Sequence, residues 1–171
     1  MLRSLVAVAL VAVLVAAPGC GKPMTDFTSA QYKFKTKFPG APKEESKPMA
    51  GTTLKMFATE SRNGAFMVGV ADMPIPANEP AAMIEERLDG AQAGAIGNVG
   101  GTLKNSTKVT LGGKHPGRDF TASITKPVSG LIRARVYLVG TRMYQVMVVG
   151  TDSFVTSADA NTFFDSFALT E

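Results

Sequence analysis

The chain has 171 residues, 45% of them apolar and 19% charged, and carries a formal charge of +4. That apolar share excludes a disordered chain, the length fits one domain plus a leader, and a mild positive charge spread along the sequence gives no nucleic-acid surface. A single cysteine and a single histidine exclude an internal disulfide, a cysteine-rich zinc site and any two-histidine metal motif, so no metal or cofactor is expected.

Residues 1–19 read as a signal peptide. Arg3 supplies the positive start, and Leu5 to Ala17 is an unbroken run of Leu, Val and Ala, of secretory length and too short to span a bilayer comfortably. Pro18-Gly19 breaks the run just before Cys20. The segment Ala17-Pro18-Gly19-Cys20 resembles the lipobox of bacterial lipoproteins. Gly19 and Cys20 match the pattern, whereas Ala17 stands where leucine is usual and Pro18 is unusual. The resemblance implies removal of the leader before Cys20, a diacylglycerol on its sulfur and usually a further acyl chain on its new amino group. More than one buried chain makes a stable anchor. The expected product is an exported, membrane-anchored lipoprotein facing the periplasm or the cell exterior. Gly21 in place of an aspartate implies sorting away from the inner membrane. The competing reading is an ordinary cleaved signal with an incidental cysteine.

Residues 20–27 read as a polar tether and residues 28–171 as one domain. Gln31 to Phe38 alternates apolar and lysine residues, a half-exposed strand whose lysines guard an edge. Pro39-Gly40-Ala41-Pro42 ends it, and Lys43 to Gly51 reads as a charged loop. Thr52–Glu60 and Ala65–Met73 form a hairpin around Asn63-Gly64, the strongest short turn signal. With Arg62 opposite Ala65, Phe57 faces Val70 and Met56 faces Ala71, so both faces are apolar and the sheet is covered at least partly on both sides. A helix follows, capped by Asn78, with Ile84, Leu88, Ala91, Ala95 and Val99 on one stripe. Gly90 and Gly94 share a helix face; they either permit close approach to the sheet or mark a fraying end. Thr102 to Leu111 is a polar strand near an edge. Lys114 to Gly150 holds the densest β-branched and aromatic run, three strands of which the last two are joined at Gly140-Thr141. A helix near Ala158 to Phe167, capped by Thr156 or Ser157, closes the chain with Phe163, Phe164 and Phe167 as its anchors. The order βββαββββα is that of an α+β domain: a mainly antiparallel sheet of about six or seven strands with helices packed on it.

Several of these stretches resemble the PsbP/DcrB-like superfamily of exported or lumenal α/β proteins. They are the strand ending in Phe38-Pro39-Gly40-Ala41-Pro42, the central helix, Gly117-Arg118-Asp119-Phe120 opening a strand, the Val136-Tyr137-Leu138-Val139 hairpin, and the final helix with Phe163-Phe164-Asp165-Ser166-Phe167. The resemblance is one of pattern over about residues 28 to 169. It implies an antiparallel sheet sandwiched by helices and an accessory role, and it carries over no catalytic residue.

Three constellations invite a functional reading. His115 and Asp119, four residues apart, form a conceivable general base and its orienting carboxylate, the basis of a hydrolase-like alternative. Arg118 shares a strand face with Phe120, Ala122 and Ile124, and an arginine entering an apolar face calls for an acid or a helix C-terminus. With Val139 opposite Arg142, one hairpin face carries Arg133, Arg135, Tyr137, Arg142 and Tyr144. Such a face either receives a carboxylate, phosphate or acidic protein patch, or lays its arginine stems over apolar sheet. The expected function is a non-enzymatic, lipid-anchored binding or accessory module of the cell envelope, with the membrane and an envelope protein or component as partners. The alternative is a carrier of a small apolar or amphipathic ligand between the sheet and the glycine-bearing helix.

Overall fold

In a computed structural model, residues 22–49, 51–76, 78–125 and 129–171 are described. Ten strands and three helices follow in the order β1 (Met24–Ser29), β2 (Phe34–Pro39), β3 (Lys43–Met49), β4 (Thr52–Ser61), β5 (Gly64–Asp72), α1 (Ala81–Asn98), β6 (Gly101–Leu111), β7 (His115–Ile124), β8 (Gly130–Val139), β9 (Arg142–Gly150), α2 (Asp152–Val155), α3 (Ala158–Ser166) and β10 (Ala168–Leu169). The fold is α+β. A seven-stranded antiparallel sheet, β3-β4-β5-β9-β8-β7-β6, carries α1 on one face. A separate three-stranded sheet, β1-β2-β10, lies with α3 on the other.

The β8–β9 hairpin has the expected register: Val139 faces Arg142, Tyr137 faces Tyr144, and Arg135 and Arg133 face Val146 and Val148. Gly140 turns the chain at a φ of 59°, a conformation that costs glycine nothing. The β4–β5 hairpin differs from expectation. Ser61 faces Gly64, so Arg62-Asn63 forms the turn and Phe57 faces Val68 in place of Val70. The reason is tertiary. Gly64 is taken into the strand against β9, where an added Cβ would lie 2.2 Å from the Val149 carbonyl oxygen and 2.6 Å from the Phe154 ring. The slip is two residues, so every side chain keeps its face.

Three segments depart from the sequence reading. β1 takes in Met24 to Phe27 of the predicted tether and pairs along β2, so the ordered domain starts inside that tether. Lys43–Met49 is an edge strand and not a loop; all seven of its residues are exposed, and its pairing with β4 comes from backbone hydrogen bonds that no apolar alternation announces. The strand expected from Gln31 begins at Phe34, because Lys33 adopts a φ of 51° in the turn after β1.

The face towards α3 and the small sheet holds an aromatic core. Phe34, Phe38 and Phe163 are fully buried, with Phe57, Phe66, Tyr144 and Phe167 packed around them. Phe38 and Phe163 meet edge to face at 5.1 Å, and Phe66 meets Phe163 at 5.3 Å. Each fully buried ring contributes about 1.5–3 kcal/mol relative to its exposed state, so this cluster holds the small sheet and α3 to the large one. Thr36 adds a polar tie, donating to the Phe163 carbonyl at 2.9 Å. Ser157 caps α3 by accepting from the Ala160 N–H at 3.1 Å. The opposite face is aliphatic: Leu88 of α1 is buried on Phe120, Ala122, Ile132, Ala134 and Val136. The α1 N-cap is Pro80 without a side-chain hydrogen bond, so Asn78 does not cap this helix.

Candidate functional site

α1 packs chiefly on β6, β7 and β8, so the β4-β5-β9 part of the same face is covered only along its flank, where Ala71 and Met143 are buried. Strand alternation decides what stands there. The rows Met67–Met147, Gly69–Gln145 and Ala71–Met143 run across β5 and β9, and Met56 joins the Gly69 row from β4. Methionine, unbranched and polarizable, suits a surface that has to adapt.

Where this surface runs under the flank of α1 it forms a cleft of about 330 Å³. The floor is Leu54, Ala71, Met143 and Gln145, with Met49 and Met73 at the sides. The helix contributes Arg87, Gly90, Ala91, Gly94, Ala95 and Asn98, a set at three- and four-residue spacing and therefore one stripe. The glycines do not bring helix and sheet together: a Cβ on Gly90 or Gly94 would meet nothing within 4 Å. Both are exposed at the rim of the cleft, where a methyl group would stand in open space. On the floor, Gly69 stands opposite Gln145, and a Cβ there would lie 3.2 Å from Leu54 Cδ1.

The charge at the rim is already paired. Arg87 Nε donates to both carboxylate oxygens of Glu79, at 2.8 and 2.7 Å, and its Nη2 donates to Oε1 at 2.6 Å. The hydrogen bonds from Arg87 hold the Glu79 carboxyl below the usual range and raise the guanidinium. Gln145 is different. Among the described residues, the one hydrogen-bond partner of its amide is a long one, Nε2 to Met143 Sδ at 3.9 Å, and thioether sulfur is a weak acceptor.

The arginine and tyrosine residues of the β8–β9 hairpin share one face, and that face is covered. Tyr137 and Tyr144 are 5% and 2% exposed. Tyr137 stacks on Phe167 at 6.1 Å, and the Tyr144 hydroxyl donates to the Tyr32 carbonyl at 2.8 Å. The Arg133 guanidinium lies 4.5 Å from the Phe164 ring centre and donates to Asn161 at 2.7 Å. Arg135 donates to Asp119 at 2.8 Å and to the Phe164 carbonyl at 3.2 Å. Arg142 grips Asp72 through two hydrogen bonds of 2.6 and 2.9 Å. As an open binding surface this set is therefore corrected: α3 and the small sheet occupy it, with the arginine heads at its margin.

Arg118 is 5% exposed and meets two acids one turn apart on α1, Glu85 and Asp89, each at 2.8 Å. Lys108 of β6 joins Glu85 at 2.6 Å. This cluster ties α1 to β6 and β7. Asp119 gives its carboxylate to Arg135 and does not orient His115; burial and the neighbouring Lys114 charge lower the imidazole pKa. Cys20 and the Ala17-Pro18-Gly19 segment lie outside the described residues.

The sequence reading offers a ligand space between the sheet and the glycine-bearing helix as its alternative, but not the lining, which depends on which strands α1 covers. A partial signal was present, since register alternation puts five methionines, Met49, Met56, Met67, Met143 and Met147, on one sheet face.

An antiparallel sheet between a long helix on one side and a small sheet with a short helix on the other is a PsbP-like α+β architecture. The chain is similar in fold to the solution structure of cyanobacterial PsbP (CyanoP) from Synechocystis sp. PCC 6803, with a TM-score of 0.55 and 12% identity over 91% of this chain and 98% of that one. A crystal structure of PA94, a protein of unknown function from Pseudomonas aeruginosa, matches at a TM-score of 0.46 and 9% identity, over 81% and 90% of the two chains. No family model matches the sequence, and no curated protein matches it either.

Proposed function

We propose that the protein is a non-enzymatic accessory module of the cell envelope, held at a membrane through lipid on Cys20, which works by receiving an apolar group in the cleft beside α1. The open cleft carries this reading: an apolar concavity of about 330 Å³, bordered by two glycines on a helix where alanine would be more stable. The lipobox-like segment supports the anchor, and Cys20 stands four positions before β1, close enough to hold the domain at the bilayer surface. The PsbP-like fold is compatible with an accessory role.

Native mass spectrometry of the protein extracted from its host tests the cleft. The wild-type chain carries an added non-covalent mass, and Gly94→Leu, which fills the cleft, does not. Identical spectra for the two proteins refute the reading. Growth with an alkyne fatty acid tests the anchor: labelling of the wild type and none of Cys20→Ala is expected, and equal labelling refutes it.

A further inference from the structure

The cleft's chemistry defines its occupant more narrowly. We infer that it takes a single linear acyl or isoprenoid-like chain bearing an uncharged carbonyl or hydroxyl group, hydrogen-bonded by the side-chain amide of Gln145. The inference rests on the reading of the cleft as a binding site and specifies what binds.

Three observations lead there. The first is size. At about 330 Å³ the cleft lies at the small end of the roughly 300–1,000 Å³ usual for ligand sites. It suits one chain and not a two-chain lipid. The walls, from Leu54, Ala71, Met73, Ala91, Ala95 and Met143, are apolar, and the methionines adapt to a flexible chain.

The second is charge. The cation on the lining, Arg87, is held by both oxygens of Glu79, whose side chain is 6% exposed. An anionic head group would meet a cation whose charge that carboxylate already neutralises, and a cationic one would find no carboxylate on the lining. The site therefore favours a neutral ligand.

The third is Gln145. It is half-buried on the floor of the cleft, on a strand whose neighbours on that face are Met143 and Met147. Its amide has two donor hydrogens and an acceptor oxygen, and the partner found for it is the Met143 sulfur at 3.9 Å. A polar amide set into an apolar floor and left to a weak acceptor gains from an ester, amide or alcohol group placed over it, because partly desolvated hydrogen bonds are the ones that confer selectivity. Gly69, opposite Gln145, is covered by Leu54, so the group is received on the cleft side of Gln145, beside Met143.

The test uses the full chain in its own membranes. Two photoactivatable, clickable probes are added: a monoacylglycerol and a hydrocarbon of equal length. After irradiation, cross-linked peptides are mapped. The monoacylglycerol is expected on peptides containing Met73, Gly94 or Met143. Gly94→Leu should cut that labelling about tenfold, as a loss of about 1.4 kcal/mol does. Gly97→Leu, on the same helix but outside the cleft, should leave it unchanged. Gln145→Leu should abolish the preference for the monoacylglycerol over the hydrocarbon. Equal cleft labelling of wild type and Gly94→Leu overturns the inference, as does a preference that survives Gln145→Leu. If neither probe labels cleft peptides while native mass spectrometry still shows a bound mass, the acyl class is wrong and the cleft reading stands. If no mass is bound either, both fail.

Discussion

Which partner is removed from the Arg118 cluster should decide how much stability is lost, and the burial figures give the sign. Arg118 is 5% exposed, whereas its acids are not sequestered: the side chains of Glu85 and Asp89 are 34% and 63% exposed. Deleting both acids strands a cation inside the protein. Deleting the arginine leaves two carboxylates in contact with water, one of them still paired with Lys108 at 2.6 Å. Breaking a buried pair so that a charge is left behind costs about 3–5 kcal/mol, while replacing it with an apolar group of similar size is close to neutral. The Gly117 and Glu85 carbonyls still accept from the stranded guanidinium, at 3.3 and 3.5 Å, which places the loss at the lower end. Glu85→Ala/Asp89→Ala is therefore expected to lose about 3 kcal/mol, or about 6–12 °C in Tm for a domain of this size. Arg118→Met should lose about 1 kcal/mol or less. Urea denaturation of the purified proteins measures both, and amide exchange along α1 shows whether the helix detaches first. The reasoning is refuted if Arg118→Met is as destabilising as the double variant.

Four further outcomes follow from the packing and the ion pairs. Gly97→Ala should stabilise the protein by up to about 1 kcal/mol, since helical glycine is the poorer residue and the new Cβ meets nothing within 4 Å. Gly64→Ala should cost about 1–3 kcal/mol or more, because its Cβ has no space beside Val149 and Phe154; thermal melts that rank the two the other way would contradict the packing described. Tyr144→Phe removes the donor to the Tyr32 carbonyl and should cost about 1 kcal/mol by urea titration; an unchanged midpoint would show that bond to be without net value. Finally, Asp72 and Glu85 are both held below their usual pKa, Asp72 chiefly by the Arg142 hydrogen bonds and Glu85 by Lys108 and then Arg118. Because their folded pKa values lie below the unfolded ones, their contribution is complete above the unfolded values of about 4 and is lost as pH falls through the folded ones. Stability should drop below about pH 4, and Asp72→Asn/Glu85→Gln should flatten that drop; a parallel acid profile in the variant would rule these two groups out.

The sequence alone determined the β8–β9 register and the α+β class, and narrowed the α3 cap to Thr156 or Ser157. Each is written in neighbouring residues: a two-residue turn at Gly140-Thr141, a serine one position before the helix, and strands joined largely by short hairpins. Tertiary structure decided the rest. The Arg62-Asn63 turn follows from β9 pressing on Gly64, a residue 86 positions away from Gly150, its partner across the sheet. The edge strand β3 has no apolar signature, because it gains its place from backbone pairing alone. The Arg and Tyr face is composed as expected, but α3 and the small sheet cover it, and only long-range aromatic packing could reveal that. The cleft exists because α1 spans three strands of a seven-stranded sheet and turns glycines towards the remainder. Local preference chooses turns, caps and faces; which faces meet is decided by contacts between residues far apart in the chain.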